Sequence, residues 1–161
     1  MRQVPAAIPG DSPNPSLALE EGLGFRISRL ARKLRSEWVD QLTDLGLAPP
    51  QAAVLRALDE GEGAGIRELA RRIATDPMNL KRTVDQLEVR GMVASDPNLR
   101  PGKKRVIFLT EEGKLVAALL QSKIATQEQW FNTVLSSQNR TLLFEMIERI
   151  ESSLGESSDP V

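Results

Sequence analysis

The side chains best suited to a specific chemistry are ten cations between residues 66 and 105: Arg67, Arg71, Arg72, Lys81, Arg82, Arg90, Arg100, Lys103, Lys104 and Arg105. Five carboxylates oppose them there, Glu68, Asp76, Asp85, Glu88 and Asp96, so the segment carries a net charge of +5. The chain has 21 basic and 22 acidic residues, which leaves 11 and 17, a net of −6, for the remainder. A nearly neutral protein has concentrated its positive charge in one place. A phosphate backbone meets the local patch and not the overall charge. The chemistry on offer is therefore the holding of a polyanion.

Bond-breaking chemistry finds little support. The chain has no histidine and no cysteine. That removes the commonest general base, the commonest transition-metal ligand, a thiolate nucleophile and thiol redox sensing. Catalysis would rest on carboxylates, lysine or Ser/Thr alone. The glycine-rich run Gly61-Glu62-Gly63-Ala64-Gly65 lacks the Gly-Lys-Ser/Thr ending of a phosphate loop, and Glu62 would repel phosphate. It reads as an inter-helix turn. The sequence therefore reads as a binding protein and not an enzyme, with no cofactor and no metal.

The elements that must position the cations follow from periodicity. Ile66, Leu69, Ala70 and Ile73 recur at i, i+3, i+4 and i+7, and Leu80, Val84 and Leu87 repeat the spacing in a second helix. Between them, Asp76 suits an N-cap and Pro77 the first helical position, where its missing N–H costs nothing. Gly91 is placed to end the second helix. Met92-Val93 and Val106-Ile107-Phe108-Leu109 are apolar runs of strand length, with Asp96-Pro97, Asn98 and Pro101-Gly102 as turn chemistry between them. Helix, turn, helix, hairpin is the pattern of a winged helix-turn-helix.

Around this segment the chain divides in order. Residues 1–15 hold four prolines and read as a flexible arm. Residues 16–46 form one long helix, firm from about Leu23, with Leu23, Ile27, Leu30, Leu34, Trp38, Leu42 and Leu45 on one side and Gly46 at its end. A second helix, Pro50 to Glu60, opens the winged helix-turn-helix of residues 47–110. Thr110 caps a long helix running to about residue 135, and a last helix, about Asn139 to Leu154, is expected to bury Leu142, Leu143, Met146, Ile147 and Ile150. Residues 155–161 read as a frayed tail. The fold class is mainly α with a small β-hairpin wing, in the order α-α-α-α-β-β-α-α.

A winged helix-turn-helix of this size cannot cover the long flanking helices. The economical solution is a homodimer in which residues 16–46 and 111–154 interleave and two reading helices face a palindromic site. No apolar run reaches the roughly 20 residues that span a bilayer, and no signal peptide is evident, so the sequence reads as soluble, cytoplasmic and without a membrane partner.

The sequence resembles the MarR family of transcriptional regulators over roughly residues 23–154. The resemblance is carried by Leu45 to Leu55 (LGLAPPQAAVL), Ile66 to Ala70 (IRELA), Leu80 to Val93 (LKRTVDQLEVRGMV) and Val106 to Gly113 (VIFLTEEG). It implies a dimeric, usually repressing, DNA-binding regulator, often released from double-stranded DNA by a small aromatic or anionic effector. The chain departs from the family at Ala48, where a capping threonine is common. It departs again in the wing, where Pro101 and Lys103 stand in place of the usual Asp and Arg. An altered wing and an acidic remainder leave an alternative: a winged-helix protein–protein module without DNA binding.

The resemblance implies a recognition helix of about Pro77–Arg90, with Pro77, Met78, Asn79, Lys81 and Arg82 in the turns that enter the major groove. Arg82 matches the family's arginine and suits guanine or phosphate; Asn79 suits adenine or phosphate; Met78 suits a thymine methyl. In the wing, Arg100, Lys103 and Arg105 are the candidates, Lys103 and Arg105 sharing a strand face opposite Lys104. Arg67 and Arg72 are candidate phosphate contacts or local salt-bridge partners. Trp38 with Arg35 is the candidate effector pocket, although a tryptophan at helical spacing also suits core or dimer interface.

Overall fold

The computed structural model describes residues 18–96 and 105–155. The chain forms two compact units, residues 1–44 and 45–161. In the first, a 3₁₀ turn, Leu19–Glu21, precedes helix α1, Leu23–Leu42. The helix begins at Leu23, where the weakening effect of Gly22 and Gly24 on the earlier turns places it. Thr43–Leu45 tightens into a 3₁₀ turn and Gly46, at φ +59°, ends it. The start of the expected helix at residue 16 and the proline-rich arm lie outside the described residues. Leu23, Ile27 and Leu30 are exposed along α1.

The second unit contains α2 (Pro49–Asp59), β1 (Ala64–Gly65), α3 (Ile66–Arg72), α4 (Pro77–Val89), β2 (Val93–Ser95), β3 (Val106–Leu109), α5 (Glu111–Val134) and α6 (Ser137–Gly155). Ala48 offers no capping side chain to α2; instead Gln51 reaches back, its Oε1 accepting from the Ala48 N–H at 3.0 Å. Leu55, Leu69, Leu80, Leu87, Ile107 and Leu120 are fully buried, one from each of α2, α3, β3 and α5 and two from α4. They form the core that fixes the face α4 turns outward.

The expected hairpin is present as β2 and β3, and a strand is added where the glycine-rich run was expected to be only a turn. The sheet has three antiparallel strands in the order β1-β3-β2. Ala64 pairs with Ile107 and Gly65 with Val106, so the end of the glycine-rich turn is a strand. Gly63 adopts φ +128°, and a Cβ there would lie 2.9 Å from Val106 Cγ1 and 3.0 Å from the Ile107 carbonyl oxygen. Glycine is required by this close approach to β3. On the other side Val93 pairs with Leu109, Ala94 with Phe108 and Ser95 with Ile107.

Helix α5 leaves the sheet through a dense joint. Thr110 Oγ1 accepts from the Gly113 N–H at 3.1 Å and donates to the Gly91 carbonyl at 2.6 Å, while the Thr110 N–H donates to the Met92 carbonyl. A Cβ on Gly113 would stand 1.9 Å from the Met92 oxygen. Helix α6 begins two residues before the expected Asn139. Within one chain it does not bury its apolar side: Leu142, Leu143, Met146, Ile147 and Ile150 are each 41–49% exposed. Among the described residues no helix is long and apolar enough to cross a membrane.

Candidate nucleic-acid interface

Helix α4 starts where the Asp-Pro pair places it. Asp76 Oδ1 accepts from the backbone N–H groups of Met78 at 2.8 Å and Asn79 at 3.2 Å, and Pro77 occupies the first helical position. Ala74 in the preceding turn sits at φ +52°, a strained value for a residue with a Cβ. Leu80, Val84 and Leu87 anchor one side of α4 in the core. The spacing then directs Met78, Asn79, Lys81 and Arg82 to the surface, and all four are exposed. Met78 is 74% exposed, an apolar side chain held in solvent at the first turn. Arg82 makes no ion pair among the described residues. Lys81 bonds Asp85 at 2.8 Å, an exposed pair of little stabilising value that a stronger anion can displace.

The wing candidates fare differently. Arg100 and Lys103 lie outside the described residues, as does Lys104. Arg105 stands at the base of β3 and its guanidinium is committed inside the protein. Its Nε donates to Ser95 Oγ at 2.6 Å and its Nη2 to Glu88 Oε1 at 2.5 Å, while Ser95 Oγ donates to the same Glu88 oxygen. The hydrogen bond from Ser95 holds the Glu88 carboxyl below its ordinary range, helped by Arg105 and opposed by burial and by Asp85.

Of the candidate phosphate contacts, Arg67 on α3 is exposed and makes no ion pair among the described residues, and the same holds for Arg71 one turn on. Arg72 is tied down: Nη1 donates to the Ala57 carbonyl at 2.9 Å and Nη2 to Glu60 at 2.5 Å. Arg67, Arg71 and Arg105 edge an open groove of about 700 Å³ floored by Gly65, Ile66 and Val106. Trp38 is half-buried and Arg35 exposed, both on α1.

Sequence reasoning gave no role to Arg90, Gln51 or Gln86, which form a polar knot behind α4. Arg90 Nη1 donates to the Gly46 carbonyl at 2.8 Å and to Gln51 Oε1 at 3.3 Å. Gln51 Nε2 donates to Gln86 Oε1 at 3.1 Å. Only the Gln86–Arg90 spacing of four, which places both on one helix face, hints at the group in the sequence.

Known proteins are similar to this chain in sequence and fold. The model of the MarR family matches residues 47–101. The HTH-type transcriptional repressor Rv2887 of Mycobacterium tuberculosis is 26% identical over 136 residues, 84% of this chain and 98% of that protein. Among solved structures, the transcriptional repressor CouR bound to a 23-mer DNA duplex superposes with a TM-score of 0.73 at 26% identity, covering 83% of this chain and 94% of CouR. CouR from Rhodococcus jostii RHA1 bound to p-coumaroyl-CoA gives 0.70 at 26% identity, covering 85% and 94%.

Proposed function

We propose that this chain, which is similar to the MarR family of winged helix-turn-helix transcriptional regulators over its central residues and in its fold, is a dimeric repressor reading a palindromic operator through the first turns of α4. The observation that carries the reading is the reading end itself. Asp76 caps it, the core stripe orients it, and it presents Met78, Asn79 and an Arg82 with no competing ion pair among the described residues. Arg82 is the residue for guanine or phosphate, and Asn79 and Met78 suit adenine and the thymine methyl. Lys81 and Arg67 serve the backbone, as do Arg100 and Lys103 of the wing. Arg72 and Arg105 act chiefly as internal braces, because their donors are already engaged.

Dimerisation rests on the uncovered apolar faces. Helix α5 runs for 24 residues, about 36 Å at 1.5 Å per residue. Leu115, Leu119, Trp130 and Val134 of α5 and Phe144 and Ile147 of α6 are exposed. So long an apolar surface is stable in water when a second copy covers it. A small anionic effector that weakens DNA binding belongs to the same proposal, supported by the CouR complex with an aromatic acyl-CoA thioester. Trp38 and Arg35 supply an aromatic face and a cation for such a ligand. The work is done in the cytoplasm, where the DNA is.

The test is selection of duplexes from a random pool by the full-length chain, followed by titration at several salt concentrations. The expected result is an enriched palindrome bound with a steep salt dependence, its half-sites about one helical turn apart. No enrichment and no binding even at low ionic strength favours the protein–protein module instead.

A further inference from the structure

We infer that Arg90 is a positioning residue for DNA reading: it clamps the far end of α4 to the turn that opens the second unit and so fixes the angle at which the reading end meets the groove. The inference rests on the DNA-reading role proposed above.

Arg90 caps the C-terminus of α4. Its guanidinium reaches back across 44 residues of sequence to the Gly46 carbonyl at 2.8 Å, and Nη2 reaches the Leu45 carbonyl at 3.4 Å. Both carbonyls belong to the left-handed turn at Gly46, φ +59°. Gln51 completes the clamp. Its Oε1 accepts from Arg90 Nη1 and from the Ala48 N–H, and its Nε2 donates to Gln86, one turn before Arg90 on α4. Gln51 is only 9% exposed, the one buried polar side chain among the described residues. A buried amide with each end engaged restricts geometry as an apolar side chain does not.

Leu80, Val84 and Leu87 pack α4 into the core and set the face it turns outward, whereas beyond Leu87 its last turn buries no apolar side chain, Val89 being 90% exposed. The knot anchors that end. A planar guanidinium bonded to two carbonyls and an amide oxygen fixes both distance and orientation. The reading residues Met78, Asn79 and Arg82 stand 8 to 12 positions before Arg90, about 12 to 18 Å away along the helix. Arg90 therefore influences them through the helix and not through the DNA. Glycine at position 46 belongs to the same device, because the turn that aims its carbonyl needs a positive φ.

Lysine at position 90 keeps the charge but loses the planar fork, whose two separated nitrogens reach Gly46 and Gln51 on one side and Leu45 on the other. The experiment measures Arg90→Lys, Arg90→Ala and Gln86→Ala in the full chain. The probes are the duplex enriched from the random pool and an unrelated duplex of equal length, over a salt series, at a temperature where circular dichroism shows each variant folded. The expected result is a loss of at least about tenfold on the enriched duplex, unrelated-duplex binding within about twofold of wild type, and an unchanged salt slope. An equal loss on both duplexes with the slope reduced by about 1 makes Arg90 a phosphate contact and overturns the inference. Wild-type behaviour of Arg90→Lys on both duplexes overturns it as well. Should Arg90→Ala fail to fold, Arg90→Lys and Gln86→Ala decide. A wild-type chain that binds no duplex sinks the DNA-reading role itself, a result distinct from any difference among variants.

Discussion

Arg105 at the base of β3 and Glu88 on α4 are joined at 2.5 Å, with Ser95 of β2 bonded to both. The wing is thereby pinned to the helix it flanks. Asp85, one turn before Glu88, lies 3.9 Å from Arg105 Nη1 and 2.8 Å from Lys81. Replacing Arg105 with alanine releases β3 from α4 and leaves Asp85 to Lys81 alone. The expected outcome is a loss of about 1 kcal/mol in stability by urea unfolding. Weaker DNA binding should accompany it, with little change in salt slope, because no phosphate contact is removed.

Acid should loosen this joint through Glu88. Its carboxyl titrates below the ordinary value of 4.5, chiefly because of the Ser95 hydrogen bond. A depressed native value stabilises the fold above the unfolded value, and that contribution is lost as pH falls from about 4.5 through the lower native one. Glu88→Gln should therefore show a flatter stability profile below pH 4.5 than wild type in urea melts at successive pH values. Identical slopes in that window would count against it.

The two cations of the reading turns should separate by what they contact. Arg82→Ala should weaken operator binding by about 1–3 kcal/mol and relax base preference at one position. Lys81→Ala should weaken all duplexes alike and reduce the salt slope by about 1. Titration of the selected duplex and its single-base variants checks both.

Two backbone positions should respond differently. Gly113→Ala drives a Cβ into the Met92 carbonyl and should destabilise by about 3 kcal/mol or more in chemical denaturation. Ala74→Gly removes a left-handed strain of about 1 kcal/mol, offset in part by unfolded-state entropy, and should leave stability equal or slightly higher.

Asp76→Ala strips the cap from α4, leaving the Met78 and Asn79 N–H groups without that acceptor. A loss of about 1 kcal/mol is expected, restored mostly by Asp76→Asn or Asp76→Ser in thermal melts.

Much of this was legible because local rules and the tertiary fold agree. Asp76-Pro77 starts α4, Gly46 and Gly91 stop their helices at positive φ, and Thr110 caps α5. Strand β1 was not legible: two residues have no periodicity, and only pairing with Val106 and Ile107 makes Ala64 and Gly65 a strand. Arg105 was read by alternation as sharing a DNA-facing side with Lys103. Its actual partners, Ser95 and Glu88, lie 10 and 17 residues away, beyond what strand spacing encodes. Helix α4 was visible from its own residues, whereas the clamp behind it depends on Leu45, Gly46 and Gln51, brought there by the fold alone.

Gly113 seated on the Met92 carbonyl, with Thr110 holding Gly91, leaves no room for a side chain between the start of α5 and the turn that ends α4. The two helices therefore share one tight joint, and a side chain that wedges it open displaces α4 and α5 together.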